Sequence, residues 1–369
     1  MTGTHYRWIR DIAFTVVAVF FAAFQAVAQE PIKIGVVLPL GGQYGDYNKR
    51  YLIAPTELAV KEINAKGGLL GRQVRLIIED SRNDPASAVA ALRKLSDVDK
   101  VIAVFTGFTP LTLPQLPVAE EKRIIVLAPS TEHPDLTKSP WAVRMTPTAD
   151  KAGIRLAQVA FGAGVKTVVL LSEDNESVRL SERAFGAEFE RLGGKIAGAE
   201  TFKSQDSDVR GQLTKLRSLR ADAMFVQASN GRPMSVALKQ LGEVGARPKQ
   251  LFANHLIEDD EVKAVASVIT EGIIYTTLSV DPAFAQRWKS TMGYDVNANV
   301  GKHYDATALL FEAIRRAGSD DAGKIRDEIY KFGEFKGVLG TFRFQGSGEP
   351  AVFPSVKTVK GGAYVDYVK

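Results

Sequence analysis

The chain has 369 residues, 45% of them hydrophobic and 24% charged, with no cysteine and a formal net charge of +5. At roughly 100 to 200 residues per domain this length predicts two domains, each able to bury its own core, and the lack of cysteine excludes disulfide scaffolds and a lipid anchor on cysteine. The positive charge is mild and dispersed, which excludes a nucleic-acid surface: the basic stretch 210–220 carries Leu213, Leu216 and Leu219 at helical intervals and reads as a solvated helix face.

At the N-terminus Arg7 and Arg10 precede an apolar run over 12–24 and then Ala26-Val27-Ala28. This is the pattern of a secretory signal peptide cleaved after Ala28, and the run is shorter than the ~20 residues a spanning helix needs. From Pro31 onward, short apolar runs alternate with helical segments, which predicts parallel sheets covered on both faces. The first strand is expected at 32–38. Residues 52–63 then put Leu52, Thr56, Ala59, Val60 and Ile63 on one helical face, and Asn64-Ala65-Lys66-Gly67-Gly68 stops that helix. A strand at 74–78 follows, and Asp84-Pro85 opens the next helix as N-cap and first helical residue. Further strands are predicted at 101–105, 124–128, 167–171, 223–226, 250–253 and 272–277. Helices are predicted at 86–95, 181–192, 209–219 and 234–241. Crossings between halves are expected at 143–148, at 272–280 and near 337–344.

The run from Glu62 to Val89, with its helix stop, strand and Asp-Pro cap, closely resembles the first helix and second strand of periplasmic solute-binding proteins of branched-chain amino acid type. Tyr304-Asp305-Ala306, opening a helix that runs to Ala317, resembles that family's first-domain helix, so the resemblance spans the mature chain. It implies an α/β fold of two Rossmann-like parallel-sheet lobes joined by three hinge crossings, the type I periplasmic binding arrangement. The expected N-terminal lobe covers 31–148 plus 278–340, and the C-terminal lobe 149–277 plus 341–369. The implied role is a periplasmic, monomeric receptor that closes on a solute and hands it to the membrane permease of an ABC importer. A sensor of the same fold is the alternative, and a secreted enzyme a remote one.

No reacting constellation argues for catalysis. His133, His255 and His303 stand in no metal-ligand spacing, Gly41-Gly42-Gln43-Tyr44-Gly45 departs from the dinucleotide fingerprint, and no G-x-S-x-G elbow is present. Neither metal nor cofactor is expected. In open parallel sheets ligands sit beyond the carboxyl ends of the strands, and that rule selects Gln43, Tyr44, Phe108, Thr109, Ser130, Thr131, Ser177, Gln227, Asn230 and His255. The resemblance implies that Thr109, Ser130 and Thr131 grip a carboxylate. Amino-acid binders of the family hold the ammonium with an acid just after the strand equivalent to 251–253, where this chain has His255, and they place aromatic residues at Ser177 and Asn230. The expected ligand therefore has a carboxylate but no free α-ammonium, such as an aromatic or 2-oxo acid, with Phe105 and Phe108 in apolar contact. Glu132 offers another negative charge, which keeps an amino-acid ligand open.

Overall fold

The computed structural model describes residues 29–266 and 268–368, so the expected leader lies outside the described residues. Two sheets organise the chain. The first has the order β2-β1-β3-β4-β5, all parallel, built from β1 (Ile32–Leu38), β2 (Val74–Asp80), β3 (Ala103–Thr106), β4 (Ile125–Leu127) and β5 (Ala142–Val143). The second contains β6 (Thr167–Glu173), β7 (Lys195–Phe202), β8 (Ala223–Gln227), β9 (Gln250–Asn254) and β10 (Ile274–Thr277), all parallel, in the order β10-β9-β8-β6-β7. A small antiparallel sheet joins β11 (Glu334–Gly337), β12 (Gly340–Phe344) and β13 (Pro350–Ala351). The last strands, β14 (Ser355–Lys360) and β15 (Ala363–Asp366), extend the second sheet antiparallel beyond β10.

Each large sheet is buried on both faces, the reason its strands read as continuous apolar runs. One face of the first sheet packs Ile34, Phe105 and Leu127 with Leu309 and Leu310 of the helix Ala298–Ala317; the other packs Val37, Val104 and Val126 with Leu92 and Leu95. The local punctuation follows the residues as expected. Gly67 and Gly68 take φ of +94° and +80° at the helix stop, and the Asp84 carboxylate accepts from the Ser87 N–H at 2.7 Å. In the second lobe the helices Ala149–Gly162 and Glu176–Arg191 cross at Gly153, where a Cβ would stand 2.3 Å from the Ser181 carbonyl oxygen.

Two of the differences from the sequence expectation bear on the lobes and the cleft. The last crossing falls at 352–354 and not after 340, because Phe342 and Phe344 are buried in the first-lobe core and carry β12 with them. The helix expected to open at Tyr304 begins two turns earlier, at Ala298, capped by the Asn297 side chain, which accepts from the Val300 N–H at 3.1 Å. No helix among the described residues is long and apolar enough to cross a membrane.

Candidate functional site

The carboxyl ends of both parallel sheets face one cleft, and the lobes meet across it around a cavity of about 280 Å³. Side-chain contacts among the described residues bridge the lobes. Thr109 Oγ1 and Ser177 Oγ share a hydrogen bond of 2.8 Å, and Tyr44 Oη and Ser204 Oγ one of 3.3 Å. Asp260 accepts from Arg50 Nη2 and Tyr51 Oη, each at 2.9 Å. Asn297 Nδ2 donates to Asp259 Oδ1 at 2.8 Å, and His133 Nε2 stands 3.3 Å from Glu176 Oε1. The structure is thus a closed form.

Eight of the ten residues chosen from the sequence line this cavity: Tyr44, Phe108, Thr109, Ser130, Thr131, Ser177, Gln227 and His255. Phe108 holds its ring 5.2 Å from that of Tyr44, from a backbone at φ +66°, left-handed for a residue with a Cβ. Such strain costs on the order of 1–3 kcal/mol and concentrates at binding sites. It opens the helical run that passes through Thr109–Thr112 and Leu113–Gln115 into Leu116–Lys122. Ser130 Oγ donates to Asn299 Oδ1 at 3.0 Å, while Thr131 and Thr112 share a 3.3 Å hydroxyl bond.

Two expectations are corrected and one is left open. Asn230 is not on the cavity wall: its Oδ1 caps the helix Gly231–Glu243 by accepting from the Arg232 N–H at 3.2 Å, and the preceding Ser229 lines the cavity in its place. Phe105 points into the first-lobe core, 1% exposed, with His303 across from it. The side chain of Gln43 lies outside the described residues; its backbone belongs to the turn Gly42–Tyr44.

The sequence reading missed the cavity's central charge. Lys302, on the helix Ala298–Ala317, lines the cavity, is 2% exposed, and holds Nζ 3.6 Å from Glu132 Oε1. Burial lowers the Lys302 pKa, opposed mainly by Glu132; burial raises that of Glu132, opposed by Lys302. Glu132 is therefore already committed to a cation. His255 lies close enough to Lys302 to feel it. Burial first, and the Lys302 charge second, hold its pKa well below the ordinary imidazole value, so it is a neutral hydrogen-bonding group at neutral pH. Tyr47 and Asn299 were missed as well. Asn299 Nδ2 donates to Tyr47 Oη at 2.6 Å, and both line the first-lobe wall. The signal that pointed to Lys302 was its place on the apolar stripe 302–306–309–313 of the helix, all of whose residues are buried. The cavity wall thus combines hydroxyls, amides, aromatic rings and a paired lysine, which suits reversible capture of a small polar solute.

Comparison with known proteins places this geometry. A sequence profile of the periplasmic binding protein family matches residues 31–354. The Leu/Ile/Val-binding protein homolog 2 of Brucella abortus is 25% identical over 342 residues, covering 88% of this chain and 89% of that one. A leucine binding protein from Thermotoga maritima superposes with a TM-score of 0.82 at 25% identity, over 91% of this chain and 98% of that one. A solute binding protein of an ABC transporter from R. palustris, solved in complex with benzoate, superposes with a TM-score of 0.82 at 19% identity, over 91% and 95% of the two chains.

Proposed function

The chain belongs to the periplasmic binding protein family, as a solute-binding receptor of ABC transporter type and not an enzyme, and from that premise we propose that its solute is a small carboxylate without an α-ammonium group. The observation that carries this reading is the Lys302–Glu132–His255 arrangement. An ammonium bound in the cavity would need an uncommitted carboxylate. The lining acid, Glu132, is paired with Lys302 at 3.6 Å, and the position expected to hold an acid is a neutral histidine. A second cation beside Lys302 would be repelled, whereas a carboxylate would be attracted and could accept from whichever of the Thr109 and Ser177 hydroxyls is not donating in the bond they share. Aromatic and 2-oxo acids fit that description, with the Tyr44 and Phe108 rings offering apolar contact. The likeness to a leucine binding protein and to a protein solved in complex with benzoate supports testing these two ligand classes against each other.

The mechanism follows from the lobes. An open form admits solute, both strand-end rims contact it, and closure is favoured by the solute's higher affinity for the closed form. Delivery to a membrane permease, and a periplasmic address after cleavage at Ala28, complete the proposal. Titration calorimetry with leucine, benzoate and 4-methyl-2-oxopentanoate tests it: benzoate or the oxo acid binds and leucine does not. Tight leucine binding refutes the ligand assignment.

A further inference from the structure

The second-lobe wall carries buried hydrogen-bonding groups without a partner among the described residues. Strand register places Leu170, Phe225, Phe252 and Ile274 side by side across β6, β8, β9 and β10, and all four are buried in one apolar cluster. Two residues further on, the pleat returns side chains to the same face, and there the strands carry Ser172, Gln227, Asn254 and Thr276. Ser172 pairs in register with Gln227, and Asn254 with Thr276, while Gln227 and Asn254 each follow the Val226–Ala253 pair. A polar row thus sits directly on an apolar layer, and Gln227, Asn254 and Thr276 of it line the cavity.

Three residues of the row carry a buried polar atom without a partner among the described residues, and two of them, Gln227 and Asn254, line the cavity. Gln227 is 1% exposed, and its Nε2 has no hydrogen-bond partner among the described residues. Asn254 donates Nδ2 to the Ala228 carbonyl at 2.7 Å, which fixes the amide and leaves its buried Oδ1 without a partner among the described residues. Burying an unmet donor next to an unmet acceptor is costly, and such pairs persist where a ligand completes them. We infer that Gln227 and Asn254 determine specificity by recognising a hydroxyl of the solute, so that the preferred ligands are hydroxyl-bearing carboxylic acids. A single hydroxyl oxygen can accept from Gln227 Nε2 and donate its proton to Asn254 Oδ1. A bare apolar acid leaves both unmet, and sites built this way reject analogues that lack the hydroxyl. The inference rests on the carboxylate reading and narrows it.

The test is titration calorimetry of the protein with benzoate, 3-hydroxybenzoate, 4-hydroxybenzoate and leucine, repeated on Gln227→Leu and Asn254→Leu. One hydroxybenzoate should bind at least about tenfold more tightly than benzoate, the sum of two ordinary hydrogen bonds. Gln227→Leu should erase that gain, with a thermal melt of the variant showing that it is folded; the wild-type comparison stands even if a variant is not. Hydroxybenzoates no tighter than benzoate, or a gain that survives both substitutions, overturn this inference alone. Leucine binding with silence from every aromatic acid overturns the carboxylate reading and this inference with it.

Discussion

Lys302 and Glu132 allow the sharpest quantitative test, because the two members of the pair are not equally buried. The Lys302 side chain is 3% exposed and that of Glu132 26%, at 3.6 Å separation. At an effective dielectric near 20 the attraction is roughly 4–5 kcal/mol before desolvation is subtracted. Removing one member of a buried pair costs about 3–5 kcal/mol when the other charge is left without water. Glu132→Gln strands a fully buried ammonium and should cost about that much. Lys302→Met leaves a carboxylate that reaches solvent and lies near Arg144, so it should cost less, about 1–3 kcal/mol after discounting for exposure. The double variant should be more stable than Glu132→Gln alone, because neither charge is left over. Urea denaturation of the four proteins measures these differences. Benzoate titrations on Lys302→Met should show affinity at least tenfold weaker, since the attracting charge is gone. Equal costs for the two single variants, or unchanged benzoate affinity, would refute the reasoning.

Burial raises Asp259 to about 8 and Asp305 to about 7, so both favour the protonated form in the folded, closed protein; their contribution is complete below the usual carboxylate range and is lost as pH rises through those values. Burial lowers His303 to about 3, which removes stability as pH falls below about 6.5. The thermal midpoint should therefore decline from pH 6.5 to 8, and Asp259→Asn should flatten that decline; a flat wild-type profile would contradict it. Asp260→Ala removes the interlobe bonds to Arg50 and Tyr51. Because Arg50 and Asp260 are each more than a third exposed, the loss is modest: affinity should fall about three- to tenfold for every solute alike, with small-angle scattering showing a more open free protein. Gly153→Ala drives a methyl to 2.3 Å from the Ser181 carbonyl, and should lower stability by about 1–3 kcal/mol on a denaturant titration without changing the identity of the bound solute.

Much of the scaffold was legible because its determinants are local. β1 was read at its observed bounds, and the Asn64–Gly68 stop and the Asp84-Pro85 cap depend only on neighbouring residues. The edge strand β7 was not read, because Lys195–Phe202 is half-exposed and contains Gly198 and Ala199, so its apolar run is weak. Strand-end reasoning led to Thr109, Ser177, Gln227 and His255, which line the cavity, since topology alone sends those ends into the cleft. It failed at Asn230, where a short polar residue after a strand serves equally well as an N-cap. It failed at Phe105 because alternation along β3 sends that ring inward.

The amino-acid sequence by itself determined the α/β class, the two lobes and the strand-end loops that border the cleft, because hydrophobic period, caps and turn residues act within a few positions of one another. Only the tertiary structure decided the charge of the cavity. Lys302 and Glu132 are 170 positions apart, and a lysine on a helix is by default solvated. It becomes a buried, paired cation because the helix Ala298–Ala317 packs under the end of β4 and the second lobe then excludes water from the cleft. The same closure decides which polar side chains are already satisfied by the protein and which, as at Gln227 and Asn254, are left without a partner among the described residues at the cavity wall.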